Sequence, residues 1–341
     1  MDNKIKEKRK FYNIQDSSNM ALIGILTPIV MSFVVSILFI IIGSVIGQDA
    51  EVLLKTAPWV YFANFVVEFG FVLAYMLYNK NTGIDGISAI RLKQKSNVWI
   101  YIIAVFLGLI MPLCCSGIIE LWSVGLEQVG YKLSELSVPI LSVGDLALAI
   151  VFVAIVPAIC EELLFRGVVL NGLRNKGKWV AILISALIFA LMHNNVEQLP
   201  YTFALGLVLG YVAYESGTVL PGMLLHTMNN SIVLVSMYLQ QNAIADISLG
   251  FTNIMVLDAL IWIVIGVVVV VGVFYIIKKL CKENNSVVED TGYYDNKFIL
   301  RDGQQVPMTK HIDSQAIKMF KYTIVIGVCL LALSFFTHIG S

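Results

Sequence analysis

Two adjacent glutamates lie inside an apolar stretch of the chain, in the segment Glu161-Glu162-Leu-Leu-Phe-Arg166. Residues four apart share one face of a helix, so Glu162 can pair with Arg166 across a single turn. Glu161 is then about 100° further round the helix and has no local partner. Because ionisable groups inside a membrane are costly, each one is a candidate for function. An unpaired carboxylate is suited to the work of a general base.

Two histidines lie in the apolar stretches that follow. His193 comes four residues after Phe189, and His226 comes four residues before Asn230. The second spacing places His226 and Asn230 side by side on one helix face. Histidine is the side chain that most often moves protons or orients reactants near neutral pH. A carboxylate, two histidines and an amide on nearby segments therefore predict one common functional site.

The composition indicates an integral membrane protein. Apolar residues make up 58% of the 341 residues and charged residues only 13%, against about 25% charged in ordinary globular proteins. The mean hydropathy is +0.83. Basic and acidic residues balance at 23 each, so no net field would attract nucleic acid, and none is expected as a partner.

The predicted fold class is an all-α polytopic membrane protein, a bundle of about nine transmembrane helices with a polar cytoplasmic segment before the last span. A bilayer core of about 30 Å requires roughly 20 apolar residues per helix. This criterion predicts spans at 21–47, 57–78, 98–119, 147–172, 179–196, 199–214, 218–239, 255–277 and 320–339. Within the polar segment, an Asp302-Gly303 turn between short apolar runs predicts a β-hairpin at 297–306.

Basic residues predict the orientation of the chain. With nine alternating spans and a cytoplasmic N-terminus, 21 of the 23 Lys and Arg residues lie on the cytoplasmic side. Lys55 and Lys132 lie on the other side, which is where the C-terminus is expected. We expect the protein to lie in a cell membrane, with the lipid bilayer as its surroundings. Its compact loops favour a bacterial membrane.

The spans divide the chain into six predicted regions. These are a basic cytoplasmic N-terminus at 1–20, N-terminal transmembrane helices at 21–144, a catalytic membrane core at 145–240, an eighth transmembrane helix region at 241–277, a cytoplasmic polar segment at 278–319 and a C-terminal transmembrane helix at 320–341.

The three motifs, in this order on successive spans, resemble the CPBP (or Abi) family of intramembrane proteases, which includes the Rce1-type CAAX prenyl endopeptidases. That family has the pattern EExxxR, then FxxxH, then HxxxN or HxxxD. This chain has all three, at Glu161–Arg166, Phe189–His193 and His226–Asn230. The resemblance covers about residues 145–240.

The resemblance implies an endopeptidase that cleaves a membrane-associated peptide or protein with a glutamate-activated water. Glu161 would activate the water and His193 would help to hold it. His226 and Asn230 would form the oxyanion hole. Glu162 and Arg166 would support the helix that carries Glu161. No cofactor is expected.

Alternatives from the same residues stay open. A zinc-dependent protease could use Glu161, His193 and His226 as metal ligands, although the HExxH motif is absent. A non-catalytic immunity or transport protein is a second alternative, in which Glu68 could belong to a proton or substrate path or to a polar contact inside the bundle. An aspartyl protease is rejected, because Tyr294-Asp295 lies in the polar segment and Asp145 only at a span edge.

Overall fold

The structure of the protein is a computed structural model that describes residues 11–53, 56–92, 94, 96–134, 139–244, 251–252, 254–284, 298–301, 304–307 and 310–339. These residues form twelve α-helices and one β-hairpin. The α-helices are α1 Ile14–Ile46, α2 Ala50–Leu53, α3 Ala57–Thr82, α4 Gly86–Ala89, α5 Val98–Gln128, α6 Val143–Ala149, α7 Val156–Leu164, α8 Lys178–Met192, α9 Leu199–Ser216, α10 Leu220–Gln241, α11 Met255–Asn284 and α12 Lys310–Thr337.

The all-α polytopic fold class is confirmed, and a helix occupies each of the nine predicted spans. Six helical segments of the described chain are long and apolar enough to cross a membrane by length and composition. They are Ile14–Ile46, Ala57–Thr82, Val98–Gln128, Val143–Leu170, Met255–Cys281 and Ser314–Thr337. Helix α8 is apolar but has only 15 residues. Histidine, asparagine and glutamine side chains on α10 lower its apolar character.

Several helices extend beyond the predicted spans. The predicted third span stops at residue 119, whereas α5 continues past Glu120 and Glu127 to Gln128. Helices α11 and α12 likewise extend into the polar segment 278–319. Hydropathy marks the part of a helix that matches the hydrocarbon layer, and backbone hydrogen bonding continues past that boundary.

The strands of the predicted hairpin are present. Strand β1, Phe298–Arg301, pairs antiparallel with strand β2, Gln304–Pro307. The turn residues Asp302 and Gly303 lie outside the described residues, as do residues 285–297.

The glutamate motif lies on one continuous helical rod, Val143–Leu170. The rod begins with a capping box, in which the side chains of Ser142 and Asp145 each accept a hydrogen bond from the backbone N–H of the other residue. Asp145, the aspartate of the rejected aspartyl-protease reading, therefore has a structural role. Two π-helical turns, Ile150–Ile155 and Phe165–Leu170, lie on either side of α7, and π turns of this kind are frequent at functional sites.

The three motif segments are neighbours in the bundle. Helix α10 packs on α7, and α8 packs on the π turn Phe165–Leu170. Helix α9, which joins the last two motifs, packs on α8, on α10 and on the same π turn. Helix α3 covers α7 from another side. The fold thus brings together the motifs that the sequence separates by about 30 residues each.

Glycines on α5 let it approach α10 and α11 at backbone distance. A Cβ on Gly108 would lie 2.4 Å from the backbone oxygen of Leu225 and 2.6 Å from the Cβ of Met228. A Cβ on Gly117 would lie 2.0 Å from the backbone oxygen of Ala259 on α11. Small residues at such contacts are typical of helix packing in membranes. Leu225 and Met228 lie on either side of His226 and Thr227, so Gly108 helps to set the position of α10.

We expect Gly108→Ala to lower the stability of the protein by about 1–3 kcal/mol, because the added methyl group overpacks the contact with α10. Gly125→Ala on the same helix is the matched control, since a Cβ there meets nothing within 4 Å. Alanine is the better helix former by roughly 0.5–1 kcal/mol, so the control should be neutral or stabilised. Thermal unfolding in detergent measures both variants. Equal melting temperatures for the two would contradict the close approach of α5 to α10.

Candidate active site

A fully buried ion pair lies at the centre of the motif region. Arg166 Nη1 donates to Glu162 Oε1 over 2.6 Å, and both side chains are 0% exposed. Arg166 Nη2 also donates to the backbone oxygen of Gly206 on α9, over 3.2 Å. The predicted pairing across one helix turn is therefore present, and it also ties the rod that carries Glu161 to α9.

Phe189 joins the three motifs through its ring. The guanidinium carbon of Arg166 lies 4.3 Å from the ring centroid, within the range of a cation–π contact. The His193 and His226 rings meet the same ring edge to face, with centroids 4.8 Å and 5.7 Å away. Phe189 is fully buried. This packing explains why a phenylalanine is the first residue of the second motif.

His226 lies between the two glutamates. Its Nε2 is 3.9 Å from Glu161 Oε2, and its Nδ1 is 3.4 Å from Glu162 Oε1. Neither contact has hydrogen-bond geometry, although His226 is only 3% exposed. Gly222, one turn earlier on α10, lets the helix approach Glu162, because a Cβ there would lie 2.8 Å from Glu162 Oε2.

Four buried polar atoms of this cluster have no hydrogen-bond partner in the part of the chain that the structure describes. They are Glu161 Oε2, Glu162 Oε2, Arg166 Nε and His226 Nδ1. Buried polar atoms in native proteins are nearly always paired, so a concentration of unpaired ones needs an explanation. A site that binds a polar substrate or a water molecule supplies that explanation.

His193 lies just beyond the end of α8. Its Nδ1 is 2.8 Å from the backbone oxygen of Phe189, and a carbonyl oxygen can only accept, so Nδ1 carries the hydrogen. The second ring nitrogen, Nε2, is then free to accept a hydrogen bond. A cavity of about 410 Å³ reaches His193 and is lined by α1, by the end of α8 and by Leu330 of α12. Polar Ser32 and Ser36 of α1 contribute to its wall.

Asn230 is half-buried on α10, one turn after His226. Its Oδ1 accepts a hydrogen bond from Asn229 Nδ2 over 3.1 Å, and Asn229 Oδ1 accepts one from the Tyr201 hydroxyl over 2.6 Å. Sequence reasoning missed Asn229 and Tyr201. The adjacency of Asn229 to the motif was a signal, whereas nothing in the spacing marks Tyr201.

Glu68 is a further carboxyl group that faces this region. It is 8% exposed on α3, which packs directly on α7. Its Oε2 has no hydrogen-bond partner in the described chain. Glu68 and Glu161 thus approach the same interface from opposite helices.

The described residues include no group of three or more His, Cys, Asp or Glu side chains arranged to hold a metal ion. Glu161 and His226 lie close together, and His193 turns Nδ1 to its own helix, which leaves its Nε2 for another partner. The zinc alternative stays a prediction that elemental analysis can test.

Comparison with known proteins finds a family model that resembles the same region. Residues 143–232 match the family model of the type II CAAX prenyl endopeptidase Rce1-like proteins. The predicted family resemblance is confirmed. The match includes Glu161, Glu162, Arg166, His193, His226 and Asn230.

Two curated relatives resemble parts of the chain. An "Uncharacterized 24.3 kDa protein" of Escherichia coli is 33% identical over 91 residues, 25% of this chain and 42% of that protein. The "Membrane-embedded CAAX protease MroQ" of Staphylococcus aureus (strain USA300) is 28% identical over 102 residues, 28% of this chain and 41% of that protein. The chain thus matches less than half of the length of either relative. No solved structure matches it.

We expect Arg166→Ala to destabilise the protein by about 3–5 kcal/mol, because it leaves the Glu162 carboxylate buried without its partner. Arg166→Ala combined with Glu162→Ala should recover much of that loss. Arg166→Lys should be intermediate, because lysine keeps the charge but lacks the planar fork. A double-mutant cycle on melting temperature in detergent measures the coupling.

The ion pair between Lys178 and Glu215 provides a control for that cycle, since its side chains are 24% and 16% exposed. A partly exposed pair should show a coupling of at most about 1 kcal/mol. Coupling near zero for the buried pair would instead make Arg166 an independent anchor whose charged end reaches water.

Proposed function

We propose that the protein is an intramembrane endopeptidase that hydrolyses a peptide bond of a membrane-associated peptide or protein. The observation that carries this proposal is the unpartnered Oε2 of Glu161, buried 3.9 Å from His226 Nε2. The family match over the same residues supports the reaction class. The six apolar helical segments support a substrate that is reached within or beside the bilayer.

Glu161 is the general base in this proposal. Its carboxylate takes a proton from water while the water oxygen attacks the peptide carbonyl, and it later gives that proton to the leaving amine. No bond to the enzyme forms, so the step is balanced by water, the peptide and Glu161 alone. His193 holds the attacking water through the ring nitrogen that Phe189 leaves free.

His226 and Asn230 provide the oxyanion hole. Both can donate hydrogen bonds, and α10 holds them one turn apart on one face. Negative charge develops on the carbonyl oxygen as the water adds, and fixed donors in a site of low dielectric stabilise that charge strongly. Glu162 and Arg166 act as a support, because their pairing fixes the rotation of the helix that carries Glu161.

The cavity beside His193 is the approach that we propose for the substrate. It lies between α1, α8 and α12, and its wall is about equally polar and apolar, with two serine hydroxyls, His193 and Asn194 among the polar groups. Such a wall suits an extended peptide whose neighbouring residues are anchored in lipid. The distribution of basic residues supports a cytoplasmic N-terminus and a C-terminus on the opposite side. The bacterial source of both relatives, one of which is named as membrane-embedded, supports a bacterial cell membrane as the location.

Glu161→Gln should lower turnover by at least about 10²-fold, because it removes the base while keeping the shape of the side chain. Membrane and secreted peptides are compared by mass spectrometry between host cells with the wild-type chain and with this variant. A peptide that stays uncleaved in the variant is then made as a quenched-fluorescence reporter for purified protein. Glu127→Gln, at an exposed site near the end of α5, is the control and should leave turnover unchanged. Full turnover in Glu161→Gln would contradict the proposal.

The role of zinc is tested on the same purified protein. We expect clearly less than one zinc per chain by elemental analysis, and reporter cleavage that persists after dialysis against a chelator. One tightly held zinc per chain, lost together with activity, would favour the metal-dependent alternative.

A further inference from the structure

Three polar side chains form a hydrogen-bonded series that ends at Asn230. The Tyr201 hydroxyl on α9 donates to Asn229 Oδ1 over 2.6 Å. Asn229 Nδ2 in turn donates to Asn230 Oδ1 over 3.1 Å. Asn229 is 1% exposed, so both of its bonds lie inside the bundle. We refer to Tyr201, Asn229 and Asn230 as the amide relay.

Tyr201 determines which way the Asn229 amide is oriented. Asn229 could in principle present either its oxygen or its nitrogen to Tyr201, because an amide has both. With the nitrogen turned to Tyr201, the hydroxyl hydrogen would lose Asn229 Oδ1, which is its hydrogen-bond acceptor among the described residues. Donation by Tyr201 therefore holds the Asn229 oxygen toward α9. The Asn229 nitrogen is left to face Asn230.

The orientation of Asn230 follows from that of Asn229. The Oδ1 atom of Asn230 is engaged by Asn229, so this oxygen cannot turn away without breaking the bond. No described group accepts a hydrogen bond from Asn230 Nδ2, and the side chain is only half-buried. The amide nitrogen is thus the free donor of Asn230, one helix turn from His226.

We infer that Tyr201 and Asn229 are positioning residues, which hold Asn230 with its amide nitrogen free to donate to the developing oxyanion. This inference rests on the proposed function. An oxyanion donor is effective when it is already oriented, because no reorganisation is then required during the reaction. Without the relay, the Asn230 amide can rotate and present its oxygen, which repels an oxyanion instead of stabilising it.

Tyr201→Phe removes one oxygen atom and tests the first bond of the relay. We expect kcat for the reporter peptide to fall about 10-fold with KM nearly unchanged, because the lost orientation matters mainly in the transition state. Tyr211→Phe is the matched control on the same helix. Its hydroxyl donates to the backbone oxygen of Phe274 over 2.9 Å, so its loss should leave kcat unchanged.

Asn229→Asp tests the second bond with a side chain of nearly the same size. Aspartate still accepts from Tyr201 but offers no N–H group to Asn230, whose own nitrogen should then turn toward residue 229. We expect kcat to fall at least as far as in Tyr201→Phe and to approach the value of Asn230→Ala. Asn229→Asp together with Asn230→Ala should be no slower than Asn230→Ala alone, because the two residues act as one unit.

A merely structural role for the relay would lower the melting temperature while leaving kcat per folded molecule unchanged, and that result would overturn the inference. If the decreases in kcat caused by Asn229→Asp and by Asn230→Ala multiplied in the double variant, that result would overturn the inference as well. Glu161→Gln, measured in parallel, distinguishes a failure of the relay inference from a failure of the proposed function. Activity lost in Glu161→Gln but retained in both relay variants contradicts only the relay, whereas activity retained in Glu161→Gln contradicts the proposed function and the relay together.

Discussion

The buried ion pair between Glu162 and Arg166 is the interaction on which the arrangement of the site depends. Two charges with no exposed surface carry a large desolvation cost, which is offset only when each is closely matched. Here the match includes the Gly206 carbonyl and the Phe189 ring as well as the partner charge. These groups belong to α8 and α9, so the pair has all of these contacts only when three helical segments are in place together.

The same pair explains why Glu161 is left without a partner. Rotation of α7 is fixed once Glu162 faces Arg166, and the neighbouring Glu161 side chain must then leave the helix in another direction. That direction leads to His226 and to the interface with α3, where Glu68 is also buried. A stable charge pair thus holds a second, uncompensated carboxylate in the bundle. Glu162 thus contributes to stability, whereas the adjacent Glu161 is left available for the reaction.

Much of the fold could be predicted from the sequence, because a bilayer requires long apolar helices and leaves few alternatives for the backbone. The pairing of Glu162 with Arg166 followed from helix geometry alone. The ends of α5 and α12 could not be predicted by hydropathy, since a helix continues into polar surroundings without a compositional mark. The π turns beside α7 were not predicted by hydropathy either.

The residues that form the site could be predicted only in part, because some of them meet across different helices. Motif spacing identifies residues that share a helix face, such as His226 and Asn230. It says nothing about a partner on another helix, and Tyr201 meets Asn229 only because α9 packs beside α10. Glu68 was recognised as unusual from its type, but its position opposite Glu161 depends on the packing of α3. Pairwise contacts between helices are therefore the information that the sequence alone lacks.

The glycine contacts of α5 also make the site less accessible from the side of α5 than from the side of α1. On that side, Gly108 brings two helix backbones together so closely that not even a methyl group fits between them. On the side of α1, Pro28 and Ser32 border an open cavity that reaches His193. A reagent or inhibitor that arrives through the lipid therefore meets a closed wall at α5 and an open one at α1. Crosslinkers placed along α1 would label bound molecules that identical crosslinkers on α5 could not reach.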